Sequence, residues 1–241
     1  MGVGVLFGVI NTLAGGGSIL SLPALLLLGI PPHAANATNR LGGVIQTLSA
    51  AWSFTKRGVL PKRELISLTI YALIGGSIGS WVSLLLTQNE MEWCIQICLG
   101  AVALFTLLAP RSLFEGPPLP ERSQLSQHIW GLIVSFYGGF LQAGIGLVSL
   151  YYLRLIKSYD LVTATALKAA FIALFTVPAL GVFIYYGHVY WVAGAALAIG
   201  SMIGAQIGVK LSLSSQGEQL IRRALPVAAL MMIGGLIWRS M

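Results

Sequence analysis

Arg40 and Lys168 stand in otherwise apolar runs, each a few residues after an Ala-Thr pair, Ala37-Thr38 and Ala164-Thr165. An ionisable side chain inside a membrane helix costs roughly 2.5–3.5 kcal/mol even on the insertion scale, which makes it a functional candidate by default. A cation at that depth suits an anionic ligand. The competing role is snorkelling from a helix end, and it fits Arg40, only a few residues into its run, better than Lys168. Asn36, Thr38, Asn39, Thr163 and Thr165 lie around the two cations as neutral donors. Hydrogen bonding between helices is the plainer role for them.

Glycine supplies the second chemical feature. Gly15-Gly16-Gly17-Ser18 interrupts the first apolar run, and Gly138-Gly139 followed by Gln142-Ala143-Gly144-Ile145-Gly146 interrupts the fifth. Each glycine costs a helix about 1 kcal/mol relative to alanine, so both runs are expected to be discontinuous. A half-helix that starts at such a break turns free N–H groups and a positive dipole end toward an anion. Gly17 with Ser18, and Gly146 with Ser149, occupy those starts. Ser18 is also a good N-cap.

Other chemistry finds little support. Glu64, Glu90, Glu92, Glu115, Glu121, Asp160 and Glu218 all fall in loops or at segment ends, so the carboxylate relay common in pumps is missing. Cys94 and Cys98 share a helix face without His or Cys partners, which argues against a metal. His33 and His188 are expected as solvated helix-end residues. The triple glycine lacks the Lys-Ser/Thr of a phosphate loop, and no nucleophile comes with an evident His and Asp. Neither an enzyme nor a cofactor is expected.

The elements that must hold these residues follow from composition. Of 241 residues, 56% are hydrophobic and 9% charged, against about a quarter charged in soluble domains. Mean hydropathy is +0.85. The formal charge of +7 invites a nucleic-acid partner, but the basic residues punctuate apolar runs and form no stripe on a soluble module. The chain is expected to be an all-α polytopic membrane protein that binds no nucleic acid. Apolar segments run over 3–28, 34–55, 65–87, 91–109, 129–153, 160–186, 189–212 and 219–238. No cleavable signal peptide is expected, because the first segment lacks a basic start. Trp93, Trp130, Trp191 and Trp238 near segment ends suit interfacial anchoring.

A proline-bearing linker, 110–127, separates a first transmembrane repeat, 1–109, from a second, 128–241. The halves share the glycine break, the Ala-Thr pair and an Ile-Gly-x-x-Ile-Gly motif at Ile74–Gly79 and Ile199–Gly204, in the same order. Eight plain spans would split the basic loops between both sides of the membrane, against the positive-inside rule. Re-entrant hairpins at the first and fifth segments bring those loops to one side, since a dozen helical residues cover only about 18 Å. Each half is then expected to be a hairpin plus three transmembrane helices, with the two repeats inverted; eight plain transmembrane helices are the alternative. Gly75/Gly79 and Gly200/Gly204/Gly208 read as helix-packing faces.

The run Gly15-Gly16-Gly17-Ser18, Leu22-Pro23, Gly29-Ile30-Pro31-Pro32 and Ala37-Thr38, extended by Gly75-x-x-x-Gly79 and the second-half copies, resembles the TauE/SafE sulfite-exporter family. Its second glycine run is degenerate, with Gln142 and Ala143 in place of two glycines. The resemblance implies transport of a small sulfur-containing anion, such as sulfite or an organosulfonate like sulfoacetate, across a bacterial inner membrane. Another small anion is the alternative cargo, and a membrane assembly factor is the alternative class. Inverted repeats with broken helices place the site near the bilayer midplane and work by alternating access. The expected binding set is Gly15, Gly16, Gly17, Ser18, Asn36, Thr38, Asn39, Arg40, Gln142, Gly144, Gly146, Thr163, Thr165 and Lys168. The partners expected are a small anion and the lipid bilayer, with the choice between monomer and homo-oligomer open.

Overall fold

The structure, a computed structural model, describes residues 1–108, 120, 122–216, 219–220 and 223. Most of the segment expected at 219–238, including Trp238, and most of the 110–127 linker lie outside the described residues. The helices are α1 (Gly2–Leu13), α2 (Ser18–Leu27), α3 (Pro32–Lys56), α4 (Glu64–Ser83), α5 (Gln88–Leu108), α6 (Gln124–Phe140), α7 (Ile145–Tyr151), α8 (Leu161–Tyr185) and α9 (Trp191–Ser212), with a π-helical turn Tyr152–Ile156 continuing α7. The described residues contain no strand. The protein is an all-α membrane protein. Among the described residues, α4, α8 and α9 are long and apolar enough to cross a bilayer.

Local chemistry sets the helix ends. Pro32 opens α3, where its fixed φ is already helical and its missing N–H is no loss. Asp160 caps α8, its Oδ1 accepting from the N–H groups of Val162 and Thr163. Ser123 caps α6, which therefore begins inside the stretch assigned to the linker. The first break falls at Ala14–Gly17, where Gly15 has φ +79°, a conformation open to glycine and few others. The second falls later than the glycine pair suggested. Gly138 and Gly139 remain helical in α6, and the chain turns at Leu141–Gly144, with Gly144 left-handed at φ +67°.

Packing pairs each half with the other. Gly4 and Gly8 of α1 meet the backbone of Gly200, Ser201 and Gly204 in α9, and Gly208 meets Thr12. Gly75 and Gly79 of α4 meet Leu132, Phe136 and Phe140 in α6, while Gly139 meets Gly76. Both glycine motifs are therefore packing faces, letting backbones approach more closely than side chains would allow. The contact order rises together along each pair, so α1 runs parallel to α9 and α4 parallel to α6. Thr38 meets Gly194, Ser201 Oγ donates to Gly42 O and Ser53 Oγ donates to Gln206 Oε1, so α3 also runs parallel to α9. With α1 and α3 both parallel to α9, the chain must double back between them, and α2 does so. Arg40, early in α3, lies over the ring of Phe183, late in α8; those two helices are antiparallel.

The outside is apolar and the centre polar. Ile70, Ile74 and Ile78 of α4, and Val192, Ile199 and Ile203 of α9, are about half exposed or more. Soluble proteins rarely present such continuous apolar faces. Asn11, Asn36, Asn39, Arg40, Gln46, Gln142 and Lys168 are all buried.

Candidate functional site

The two breaks cross at the centre of the bundle. Gly15 and Gly146 touch backbone to backbone, so closely that a Cβ on either would collide with the other's main chain. Gly16, Gly17 and Gly144 are buried around this contact. Gly146 lies one residue inside α7 and serves the close approach. Ser18 is no N-cap, since Gly17 holds that position. Its Oγ donates instead across the crossing to Gln142 O, at 2.9 Å.

A hydrogen-bonded network ties the breaks to α3. Asn39 Nδ2 donates to Gln142 Oε1 at 3.2 Å, and Ser21 Oγ donates to Asn39 Oδ1. Gln142 N–H donates to Asn36 Oδ1 at 3.4 Å. At the first break, Asn11 Nδ2 donates to Gln46 Oε1 at 2.7 Å, Gln46 Nε2 donates to Thr12 Oγ1 at 2.8 Å, and Gly17 N–H donates to Asn11 Oδ1 at 3.3 Å. Sequence reasoning passed over Asn11, Ser21 and Gln46. Asn11 just before a glycine break, and Gln46 in mid-helix, were the available signals.

Arg40 and Lys168 each serve the opposite half. Arg40 Nη1 and Nη2 donate to Gly138 O at 2.8 Å and Gly139 O at 2.6 Å, and Asn36 Nδ2 takes Phe140 O at 3.2 Å. Side chains of α3 thus satisfy the last three carbonyls of α6, which an ending helix leaves without intrahelical partners. Lys168 Nζ donates to Thr12 O at 2.9 Å and Asn11 O at 3.2 Å, at the end of α1. A cation at a helix C-terminus also meets the negative end of its dipole. Neither side chain snorkels: Arg40 is fully buried and Lys168 is 1% exposed.

Three expected residues stand apart from the network. Thr38 Oγ1 accepts from Tyr190 N–H, Thr165 Oγ1 donates to Leu161 O in its own helix, and Thr163 receives the Asp160 cap. His33, expected in solvent, is 4% exposed; Nε2 lies 3.0 Å from Leu86 O, because the turn before α5 folds over the start of α3. The described acidic residues all stand at or near helix starts, and none is buried. The described residues also contain no cluster of His, Cys, Asp or Glu able to hold a metal. A cavity of about 530 Å³ between α5, α6 and α7 is lined by Trp130, Val134, Tyr137, Tyr151 and Leu155 among others, with almost no polar surface. Such a lining does not suit an anion.

A family-wide sequence profile, "Sulfite exporter TauE/SafE", matches residues 1–236. Similar curated proteins include the "Probable membrane transporter protein YfcA" of Escherichia coli, 29% identical over 99% of this chain and 88% of its own. "Probable membrane transporter proteins" of Haemophilus influenzae and a Sinorhizobium species are each 26% identical, over 98% and 92% of this chain and 92% and 85% of theirs.

Proposed function

The chain belongs to the sulfite exporter TauE/SafE family of membrane transporters, and from that premise we propose that it carries a small sulfur-containing anion, sulfite or an organosulfonate such as sulfoacetate, across a bacterial inner membrane. The observation that carries this is the charge of the core. Two buried cations, Arg40 and Lys168, flank a crossing of bare glycine backbone, and every described acid lies outside it. A region with buried cationic side chains and no carboxylate favours an anion over a cation or a neutral solute.

The mechanism proposed is alternating access between two inverted repeats. It is supported by the antiparallel course of α3 and α8, and by the way α1 packs on α9 as α6 packs on α4. Substrate sites at the midplane between broken helices are a recurrent solution in carriers. The amides around Gly17, Ser18, Gly144 and Gly146, with the side chains of Asn36, Asn39 and Gln142, are the proposed contacts. Purified protein in liposomes should move radiolabelled sulfite or a short sulfonate faster than empty vesicles. Flux of small carboxylates alone would reassign the cargo, and no flux of any anion would favour an assembly factor.

A further inference from the structure

In carriers built on broken helices, unwound carbonyls and half-helix C-termini commonly coordinate the coupling sodium or proton. Here Lys168 Nζ reaches two such carbonyls at the end of α1, Thr12 O and Asn11 O, the latter also accepting from Gly15 N–H. We infer that Lys168 is a tethered coupling cation: it stands where a bound sodium would stand, and its amine carries the proton that couples transport. The inference rests on the carrier function proposed above.

The contrast with Arg40 supports it. Arg40 does the same task at the end of α6 with two hydrogen bonds, but a guanidinium keeps its proton, whereas a buried amine can release one. The ammonium form of Lys168 attracts the negative end of α1. The neutral amine loses that attraction and frees the break to move against α3 and α9. An ammonium that enters the cycle with a monovalent anion also leaves no net charge to carry.

Other groups on the elements around α8 are engaged elsewhere. From α3, His33 contacts Leu86 O, Arg40 holds α6 and Lys56 lies over Trp52. From α4, Glu64 pairs with Lys157 and Tyr71 with His128 of α6. Tyr137 of α6 donates to Ala143 O; of α7 and its π turn, Tyr151 lines the apolar cavity, Tyr152 donates to Gln127 O and Arg154 to Tyr159 O. The α1 sequence holds no titratable side chain.

The test uses the full chain in liposomes with the membrane potential clamped and three probes: sulfite, sulfoacetate and monovalent methanesulfonate. One unit of inward acid gradient should sustain up to about tenfold accumulation of methanesulfonate for one coupled proton, whether sodium or N-methylglucamine is the cation present. Lys168→Arg should still exchange the probe across the membrane yet accumulate none. Accumulation by Lys168→Arg, or a need for sodium in the parent, overturns the inference. Should the parent carry none of the probes, the cargo assignment fails and a binding measurement decides the role of Lys168. Sodium, against N-methylglucamine, should raise the melting temperature of Lys168→Ala (or Lys168→Gln, should the alanine variant not fold) by about 2–4 °C and leave the parent unmoved. Sodium stabilising the parent, or having no effect on the variant, overturns it.

Discussion

The two helix breaks occupy matching places in the two halves and are built from different parts. At the first, the chain gives up side chains: Ala14 and three glycines make the turn, and polar groups come from α1 itself and from Gln46. A single point charge, Lys168, closes the helix end. At the second, Gln142 keeps a long amide that reaches Asn39, and the planar fork of Arg40 closes the end with help from Asn36. The packing is shared between halves while the chemistry is not. Glycine seams fix where two helices meet, and that requirement is alike on both sides of the bundle. What caps a helix end needs only a donor of sufficient reach, so the halves are free to differ there, and the difference leaves one break with a fixed charge and the other with a releasable one.

The largest effect is expected at the crossing, where the two breaks touch backbone to backbone. Gly15→Val and Gly146→Val each drive a Cβ into the other's backbone, which cannot yield as a side chain would. Both should abolish recovery of monodisperse protein in detergent, equivalent to a loss above about 4 kcal/mol. If one is tolerated, the crossing is looser on that side and the halves differ in packing as well.

A smaller effect separates the two caps. Removing a buried cation strands the carbonyls it held, at roughly 1.5–3 kcal/mol for each charged hydrogen bond lost. Arg40 makes two short bonds and lies 4.8 Å from the Phe183 ring centroid, while the bonds of Lys168 are longer. Arg40→Met should therefore lower the melting temperature more than Lys168→Met. The reverse order would mean that the first break carries more of the stability.

The smallest effect lies at the bundle end. Lys157 pairs with Glu64 at 2.9 Å, joining the π turn to α4, whereas the corresponding turn after α2, residues 28–31, holds no charge. With Glu64 partly exposed, Lys157→Gln should cost at most about 1 kcal/mol and less at high salt. A larger loss in melting scans would make this pair a second point of asymmetry between the halves.

Composition and hydrophobic period were enough to set the class of protein, the order of its described segments, the presence of two breaks and the glycine faces, because each depends on the chain's own residues. Three glycines break a helix wherever they stand, and small residues four apart make a smooth face in any helix. The sequence also marked Arg40 and Lys168, because a cation in an apolar run is costly in every fold. Tertiary structure alone decided what those cations hold. Every residue has a carbonyl, so nothing local distinguishes Gly138 O, 98 residues from Arg40, or Asn11 O, 157 residues from Lys168, as the partner. The same limit explains Ser18, a good cap by type that donates instead across the crossing to Gln142 O, and Asn11 and Gln46, whose roles exist only once α1 and α3 lie side by side. The second break moved beyond Gly138-Gly139 for a related reason: Gly139 is needed against Gly76, and the carbonyls of both glycines against Arg40, so contacts made far along the chain keep helical a pair that local propensity would have used to end the helix.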